Sequence, residues 1–374
     1  MRKQIGGFQK IPEREMLDCR ITSFREILRY YGIILDSASI FLLSGGAGFQ
    51  FGHLTLPELK GVKFWFAGSS MPRLEVEFMN RISLPRQKHH IANDREGWVT
   101  IKGFTDRNQP LLIMFDSRYI TSGHSSEVTY LANLYNPSMT VFTGYDTAQE
   151  EAYIVLHQND HQAEVLVTSL PDFLDSRNSV TIPFSPDGIC YELNIDSSYC
   201  EWFRTEYPLL LKESILDTCG RMLGDIKFED LEVEAEITDC TQGISGMSRL
   251  ITEMEQYASE LAETMAFNAK QFVVTFLILR ANLEQGSYTC NREEFGRSLQ
   301  KVAYLFDTGA LHELGREFIE TGGLWRSAMR QLYNVRFRSN DPVAYLGEII
   351  HIFKQLKCRE ESLFTRLKET LRSS

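Results

Sequence analysis

The sequence lacks several features that would assign it to a specialised class of protein. It has no run of about 18 apolar residues, the length needed to cross a bilayer, and its polar start has no apolar signal core. Its 39 Lys and Arg residues are outnumbered by 50 Asp and Glu residues, and neither the part up to Cys200 nor the part after it has a basic excess. We therefore expect a protein that neither spans a membrane nor is secreted, and that does not bind nucleic acid.

Motifs for disulfides, nucleotides and metals are also missing. The seven cysteines include no CxxC pair, which favours reduced thiols and a cytoplasmic location. There is no GxxxxGK(S/T) motif, and the glycine-rich run at residues 44–48 lacks the lysine of a phosphate loop, so we expect a tight loop there. His53 and the pair His89-His90 have no partner at zinc-ligand spacing, so no metal site is expected.

What the chain does contain is a globular composition and a change of pattern along its length. Its 374 residues, 43% of them hydrophobic, suffice for two domains. In residues 1–198 the spacing of apolar residues alternates between helical and strand-like periods, which predicts an α+β domain. The predicted elements are a helix at 19–31 and strands at 62–67, 110–116, 139–144 and 152–156. Residues 199–374 show helical spacing of apolar residues and predict an all-α domain that acts as a lid or a dimerisation surface. We expect a homodimer, and we place Trp325, Tyr333 and Phe353 in the helical core.

The first predicted helix carries the residue best suited to chemistry. Asp18 is placed to cap the start of this helix, so Cys19 lies in its first turn. Unpaired backbone N–H groups and the positive end of the helix dipole stabilise a thiolate there, and the Cys19 amide is free to help bind an oxyanion. This position suits a nucleophile, although a cysteine in an amphipathic helix can also be a small buried hydrophobic residue.

Several segments together resemble a known family. Residues 17–32, LDCRITSFREILRYYG, and the following stretch to residue 49 resemble the N-terminal domain of the butirosin biosynthesis protein H family. The segments PLLIMFD at 110–116 and MTVFTGYD at 139–146 follow in the family's order. The helical half, with LWR at 324–326 and REESLF at 359–364, is similar to the family's second domain.

The resemblance implies a fold, a reaction and a partner. It implies a papain-like fold, shared with bacteriocin-processing cysteine peptidases, used for acyl transfer in antibiotic and other natural-product biosynthesis. An acyl group held as a thioester on an acyl or peptidyl carrier protein would pass through Cys19 to an amine acceptor, forming an amide. No ATP and no cofactor of its own would be needed, because the thioester is already activated and the phosphopantetheine arm belongs to the carrier protein.

The sequence departs from the family at the general base. The family's base histidine belongs at the start of the strand that ends in Gly-Tyr-Asp, where this chain has Pro137, Ser138 and Met139. His157 follows the next strand, and adjacent strands are about 4.8 Å apart, so we predict His157 as the base with Ser138 beside it. His124, in a polar loop, is the alternative base.

The resemblance also implies residues that contact the substrate. Asp18 stands where the family often has histidine, and Gln9 lies further from Cys19 than the papain-type glutamine, whose place is taken by Glu13. Asp116 and Tyr145 match the ends of the family's two strands. We predict Asp18, Gln9, Asp116 and Tyr145 as substrate-binding residues.

Two other functions remain open. The missing histidine favours a non-catalytic descendant that keeps the fold and binds a carrier-tethered or peptide ligand. A cyclase or release factor, in which the attacking amine belongs to the same chain as the thioester, has the same sequence features as the intermolecular transferase.

Overall fold

The computed structural model describes most of the chain. The described residues are 1–8, 11–12, 18–55, 63–70, 74–92, 94–121, 138–157, 162–180, 185–226, 237–263, 269–283, 289–306, 309–337 and 341–373. In chain order, their strands and α-helices are β1 (Arg2–Gln4), β2 (Ile11–Pro12), α1 (Cys19–Tyr30), α2 (Ser37–Leu43), β3 (Ala47–Thr55), β4 (Lys63–Ser70), α3 (Leu74–Arg81), β5 (Arg86–His90), α4 (Arg95–Asp106), β6 (Leu111–Phe115), α5 (Arg118–Thr121), β7 (Ser138–Asp146), β8 (Glu151–His157), β9 (Gln162–Ser169), α6 (Leu170–Asn178), β10 (Ile189–Leu193), α7 (Ser197–Leu223), β11 (Ile237–Gln242), α8 (Gly243–Glu263), α9 (Ala269–Leu283), α10 (Arg292–Val302), α11 (Gly309–Asn334) and α12 (Pro342–Ser373).

The chain forms two compact units that are discontinuous in sequence. The first unit combines Met1–Ile40 with Ile82–Tyr207, and the second combines Phe41–Arg81 with Pro208–Ser374. This division differs from the two continuous domains, 1–198 and 199–374, that the sequence predicts. Residues 41–81 belong with the later helices because β3, their first strand, pairs with β11 and packs against α8.

The first unit is built on an antiparallel sheet. Its strand order is β2-β9-β8-β7-β6-β10-β5, and β1 also pairs with β7. The predicted strands at 110–116, 139–144 and 152–156 are confirmed as β6, β7 and β8, which are consecutive neighbours in the sheet. Each neighbouring pair is antiparallel. The sheet therefore brings the end of β6, the start of β7 and the end of β8 to one edge.

The core of this unit explains why β6 and β7 are so apolar. All five residues of β6 are buried, so both of its faces are covered. One face packs against α4 and α6, where Trp98, Phe142 and Phe173 form a cluster of aromatic rings with centroids 5.4–6.1 Å apart. Helix α1 packs against β7 and β8 and is itself buried over most of its length. The first helix is thereby fixed against the strands that carry the other predicted site residues.

The second unit is mainly helical. Helices α10, α11 and α12 pack on one another, and Trp325 and Phe353 are fully buried among them, as predicted. Tyr333 was expected in this core, but it is 39% exposed, and the guanidinium of Arg280 lies 4.5 Å from the centre of its ring. The cation and the phenol hydroxyl both favour contact with water, which explains the position of Tyr333 near the surface.

A small sheet corrects the prediction that the second half is all-helical. β11, at Ile237–Gln242, pairs with β3 in a three-stranded antiparallel sheet of order β11-β3-β4. An isolated strand has no stability of its own, so its formation depends on partners almost two hundred residues earlier in the chain. The helical character of the rest of this region is confirmed.

The structure also contains the predicted tight loop at residues 44–48 and the predicted free thiols. Gly45 and Gly46 have φ angles of 91° and 56°, and they form the turn between α2 and β3. All seven cysteines are free thiols. Within the described part of the chain, no helix combines the length and apolar character needed to cross a membrane.

Candidate functional site

Cys19 is the first residue of α1, as the capping pattern predicts. Asp18 has an extended backbone, and its side chain caps the helix by accepting a hydrogen bond from the Arg20 backbone N–H at 2.8 Å. The same carboxylate forms an ion pair with the Arg20 guanidinium, with Nε–Oδ1 and Nη2–Oδ2 distances of 3.0 and 2.9 Å. The Sγ of Cys19 donates to Asp18 Oδ1 at 3.7 Å. The carboxylate is thus shared between the helix end, an arginine and the thiol.

Ser23 fixes this end of the helix to the sheet. Its Oγ lies 2.8 Å from the carbonyl oxygen of Cys19, one turn earlier, and 2.8 Å from the carbonyl oxygen of Met139 in β7. Cys19 consequently lies next to the start of β7, where the Met139 backbone and the Ser138 side chain hydrogen-bond its sulfur. Ser138 is buried. The structure therefore brings Cys19, Asp18 and Ser138 together.

The electrostatics of Cys19 correct the expectation of a stabilised thiolate. Burial of the thiol and, to a smaller extent, the negative charge of Asp18 raise its pKa to about 11. The Arg20 cation and the hydrogen bonds from Met139 and Ser138 oppose this shift without cancelling it. At neutral pH the thiol is therefore almost entirely protonated. Attack by this sulfur therefore requires that a base remove its proton.

Asp116 lies at the same edge of the sheet, but its carboxylate is already paired. Phe115, the last residue of β6, pairs with Ser138, so Asp116 follows directly after that pair. The Asp116 side chain is fully buried, and it accepts from Arg118 at Nε (2.9 Å), Nη2 (2.5 Å) and the backbone N–H (3.0 Å). Asp116 thus holds the turn after β6 and positions Arg118, whose side chain is 29% exposed.

His157 is placed at this edge by its backbone. Val155 pairs with Val141 in the antiparallel β7–β8 ladder, and counting two residues outward sets His157 opposite Met139. Its side chain lies outside the described residues, as do His124 and Gln9. The role of His157 as base stays a prediction.

Among the predicted substrate-binding residues that the structure describes, Tyr145 lies far from Cys19 along β7. It lies near the opposite end of β7, seven residues or about 23 Å along the strand from Ser138. Its hydroxyl donates to Asp106 Oδ1 at 2.6 Å, and burial together with this hydrogen bond raises its pKa to about 12. Tyr145 therefore ties β7 to the end of α4.

Three residues of the site did not enter the predicted set. Ser23 lies four residues after Cys19, and this one-turn spacing was the available signal that its hydroxyl would reach back to the helix start. Arg20 and Arg118 each follow an aspartate by two residues and pair with it. No group of three or more potential metal ligands occurs among the described residues. There, His53 contacts Glu253 at 2.9 Å and His89 contacts Glu192 at 3.0 Å.

Comparison with known proteins gave a family match for part of the chain. A search of curated proteins found no match. Residues 18–156 match the profile of the family described as "Butirosin biosynthesis protein H, N-terminal". The matched segment begins at Asp18, next to Cys19, and includes α1, β6, β7 and most of β8. Residues 18–156 are therefore similar to the N-terminal domain of the butirosin biosynthesis protein H family.

Proposed function

We propose that this chain is a cysteine-dependent acyltransferase of antibiotic biosynthesis that takes an acyl group from a carrier-protein thioester and forms an amide. The observation that carries the proposal is the position of Cys19, at the first turn of a buried helix and beside the start of β7. A cysteine at the end of a helix packed on an antiparallel sheet is the arrangement expected of a papain-like fold. The family's name, which refers to butirosin biosynthesis, supports the pathway class.

The proposed reaction has two balanced steps. In the first, Cys19 Sγ bonds to the thioester carbonyl carbon, the bond from that carbon to the carrier sulfur breaks, and the thiol proton ends on the departing carrier sulfur. In the second, an amine attacks the acyl-cysteine, an amide bond forms, and a proton from the amine returns to Cys19 Sγ. The Cys19 backbone N–H lies at the helix start, where it has no acceptor within the helix, and it is a donor for the oxyanion of both steps.

The partners follow from this chemistry. The acyl donor would be an acyl or peptidyl carrier protein, which brings its own phosphopantetheine arm, and the acceptor would be an amine. We place the protein in the cytoplasm, where its seven free thiols would stay reduced.

The proposal predicts a covalent adduct on Cys19. Incubation with a panel of short-chain and aminoacyl N-acetylcysteamine thioesters, which mimic the carrier arm, should add the mass of one acyl group to the peptide that contains residue 19. Cys19→Ser should abolish this adduct and lower amide formation about a thousandfold or more, because the nucleophile of a cooperating site is removed. The near-isosteric hydroxyl should leave the circular dichroism spectrum unchanged.

A matched variant separates this site from other thiols. Cys358 is exposed on α12, so Cys358→Ser controls for adventitious acylation of surface cysteines. Full labelling of Cys19→Ser, or loss of labelling only in Cys358→Ser, would contradict covalent catalysis at Cys19.

The raised pKa of Cys19 favours a second candidate function. A thiol that stays protonated at neutral pH suits a protein that binds an acylated carrier without reacting with it. In that case acyl-carrier protein would bind with an unchanged intact mass of this chain, and Cys19→Ser would bind equally well.

A further inference from the structure

The carboxylate of Asp18 is held rigidly beside the sulfur of Cys19. Its Oδ1 accepts from the Arg20 backbone N–H and from Arg20 Nε, and its Oδ2 accepts from Arg20 Nη2, all within 3.0 Å. The Asp18 and Arg20 side chains are only 23% and 7% exposed. A helix cap and a two-point ion pair together fix both oxygens, so the carboxylate has little freedom to turn away from Cys19.

This geometry distinguishes between the two protonation states of the sulfur. At 3.7 Å, Cys19 Sγ is within reach for a neutral thiol to donate to Oδ1. A thiolate has no proton to donate and would face a carboxylate of the same charge. Asp18 therefore stabilises the thiol and disfavours the thiolate.

The other groups that contact Cys19 act in the opposite sense. The Arg20 cation on the same helix, the Met139 backbone and the Ser138 hydroxyl on β7 all favour the thiolate. Among the described groups that act on this sulfur, Asp18 is the charge that opposes ionisation. Burial contributes most to keeping this thiol protonated, and the charges of Asp18 and Arg20, which also pair with each other, act on it in opposite directions.

We propose that Asp18 is a positioning residue that holds the Cys19 sulfur as a neutral, oriented thiol in the free protein. The proposal rests on the proposed function in that it concerns the same nucleophile. Its consequence is that Cys19 resists electrophiles in the free protein, because reaction requires removal of the proton that Asp18 stabilises. Asp18 then affects the reaction through the Cys19 sulfur, because its carboxylate oxygens already accept hydrogen bonds from Arg20 and Cys19.

The test is the pH dependence of Cys19 alkylation by iodoacetamide, which reacts with the thiolate and releases iodide. Alkylation is followed by the mass of the residue 19 peptide, which excludes the other cysteines. Asp18→Asn retains a good helix cap and removes the charge, so the apparent thiol pKa should fall and alkylation at pH 8 should accelerate tenfold or more. Arg20→Gln leaves the carboxylate without its cation, so alkylation of Cys19 should slow.

Opposite shifts in the two variants support the proposal, because loss of packing alone would expose Cys19 and accelerate alkylation in both. Acceleration in both variants, or an unchanged profile in Asp18→Asn, would overturn it. If Asp18→Asn does not fold, Asp18→Ser provides the same test with a different neutral cap. The assay uses no acyl donor, so its failure leaves acyl transfer through Cys19 standing. If alkylation shifts in opposite directions in the two variants but no acyl adduct forms on Cys19, the proposed transferase function is refuted and the role of Asp18 stands.

Discussion

At Cys19, the helix end and the surroundings of the side chain have opposite effects on the thiol. The first turn of a helix lowers a thiol pKa by a modest amount, because the free N–H groups favour negative charge. Burial and the neighbouring Asp18 carboxylate raise the pKa of Cys19 to about 11, so their combined effect is the larger one. A base is therefore the residue on which acyl transfer would depend most, after the nucleophile itself.

The prediction at this scale concerns His157. The β7–β8 register, continued two residues past the Val141–Val155 pair, sets its backbone opposite Met139, so His157→Gln should remove the proton acceptor with little change in the sheet. We expect the rate of amide formation to fall by about 10²–10⁴. The measurement is a single-turnover assay with a fixed thioester donor and a primary amine.

His124→Gln is the matched control for this experiment. It exchanges the alternative histidine for the same amide side chain. A large loss of amide formation in His124→Gln, together with only a few-fold loss in His157→Gln, would transfer the role of base to His124.

Among the elements, α10, α11 and α12 are joined by a buried polar group. Glu360 in α12 accepts from Arg292 in α10 at 2.7 and 2.8 Å and from the Trp325 indole N–H of α11 at 2.5 Å. The Arg292 and Glu360 side chains have no exposed surface. The Trp325 indole N–H and two of the Arg292 nitrogens thus share one buried carboxylate, and removal of its charge would leave the Arg292 cation without a counter-charge.

Glu360→Gln should therefore lower the free energy of unfolding by about 3–5 kcal/mol, since it leaves the Arg292 cation buried without its counter-charge. Urea denaturation followed by circular dichroism measures the change. Glu313→Gln is the control, because Glu313 pairs with Arg316 on the exposed surface of α11 and should barely move the denaturation midpoint. Equal effects of the two substitutions would show that the buried pair contributes no more than a surface pair.

At the scale of the whole molecule, the second unit depends on an early segment of the chain. Within this unit, β11 pairs with β3, Ser214 and Thr218 of α7 donate to the carbonyl oxygens of Leu42 and Gly45, and Arg292 donates to that of Gly48. The early segment supplies a strand, a turn and a set of buried hydrogen-bond acceptors. The helices after residue 208 therefore lack part of their core without it.

A fragment of residues 199–374 should consequently fail to fold as an independent domain. We expect low solubility and no cooperative thermal unfolding, because β11 and the donors of α7 lose their partners. Thermal denaturation of the fragment beside the full chain tests this expectation. A soluble fragment with a sharp transition would support the continuous 199–374 domain that the sequence predicts.

The sequence by itself determined the local parts of the site. The start of α1 at Cys19, its cap at Asp18, and strands β6, β7 and β8 follow from capping residues and apolar periods within short segments. The resemblance to the butirosin protein H family depends on these same segments, and the family match confirms it. Local signals were sufficient because these features depend on neighbours a few residues away.

Only the tertiary structure decided what depends on distant residues. The pairing of β11 with β3, the burial of Arg292 with Glu360 and the exposure of Tyr333 involve partners or packing that no local pattern contains. The same holds for the protonation state of Cys19, because its environment includes β7, about 120 residues further along the chain. A helix start can be predicted from its own sequence, but the pKa of a side chain depends on everything that replaces water around it.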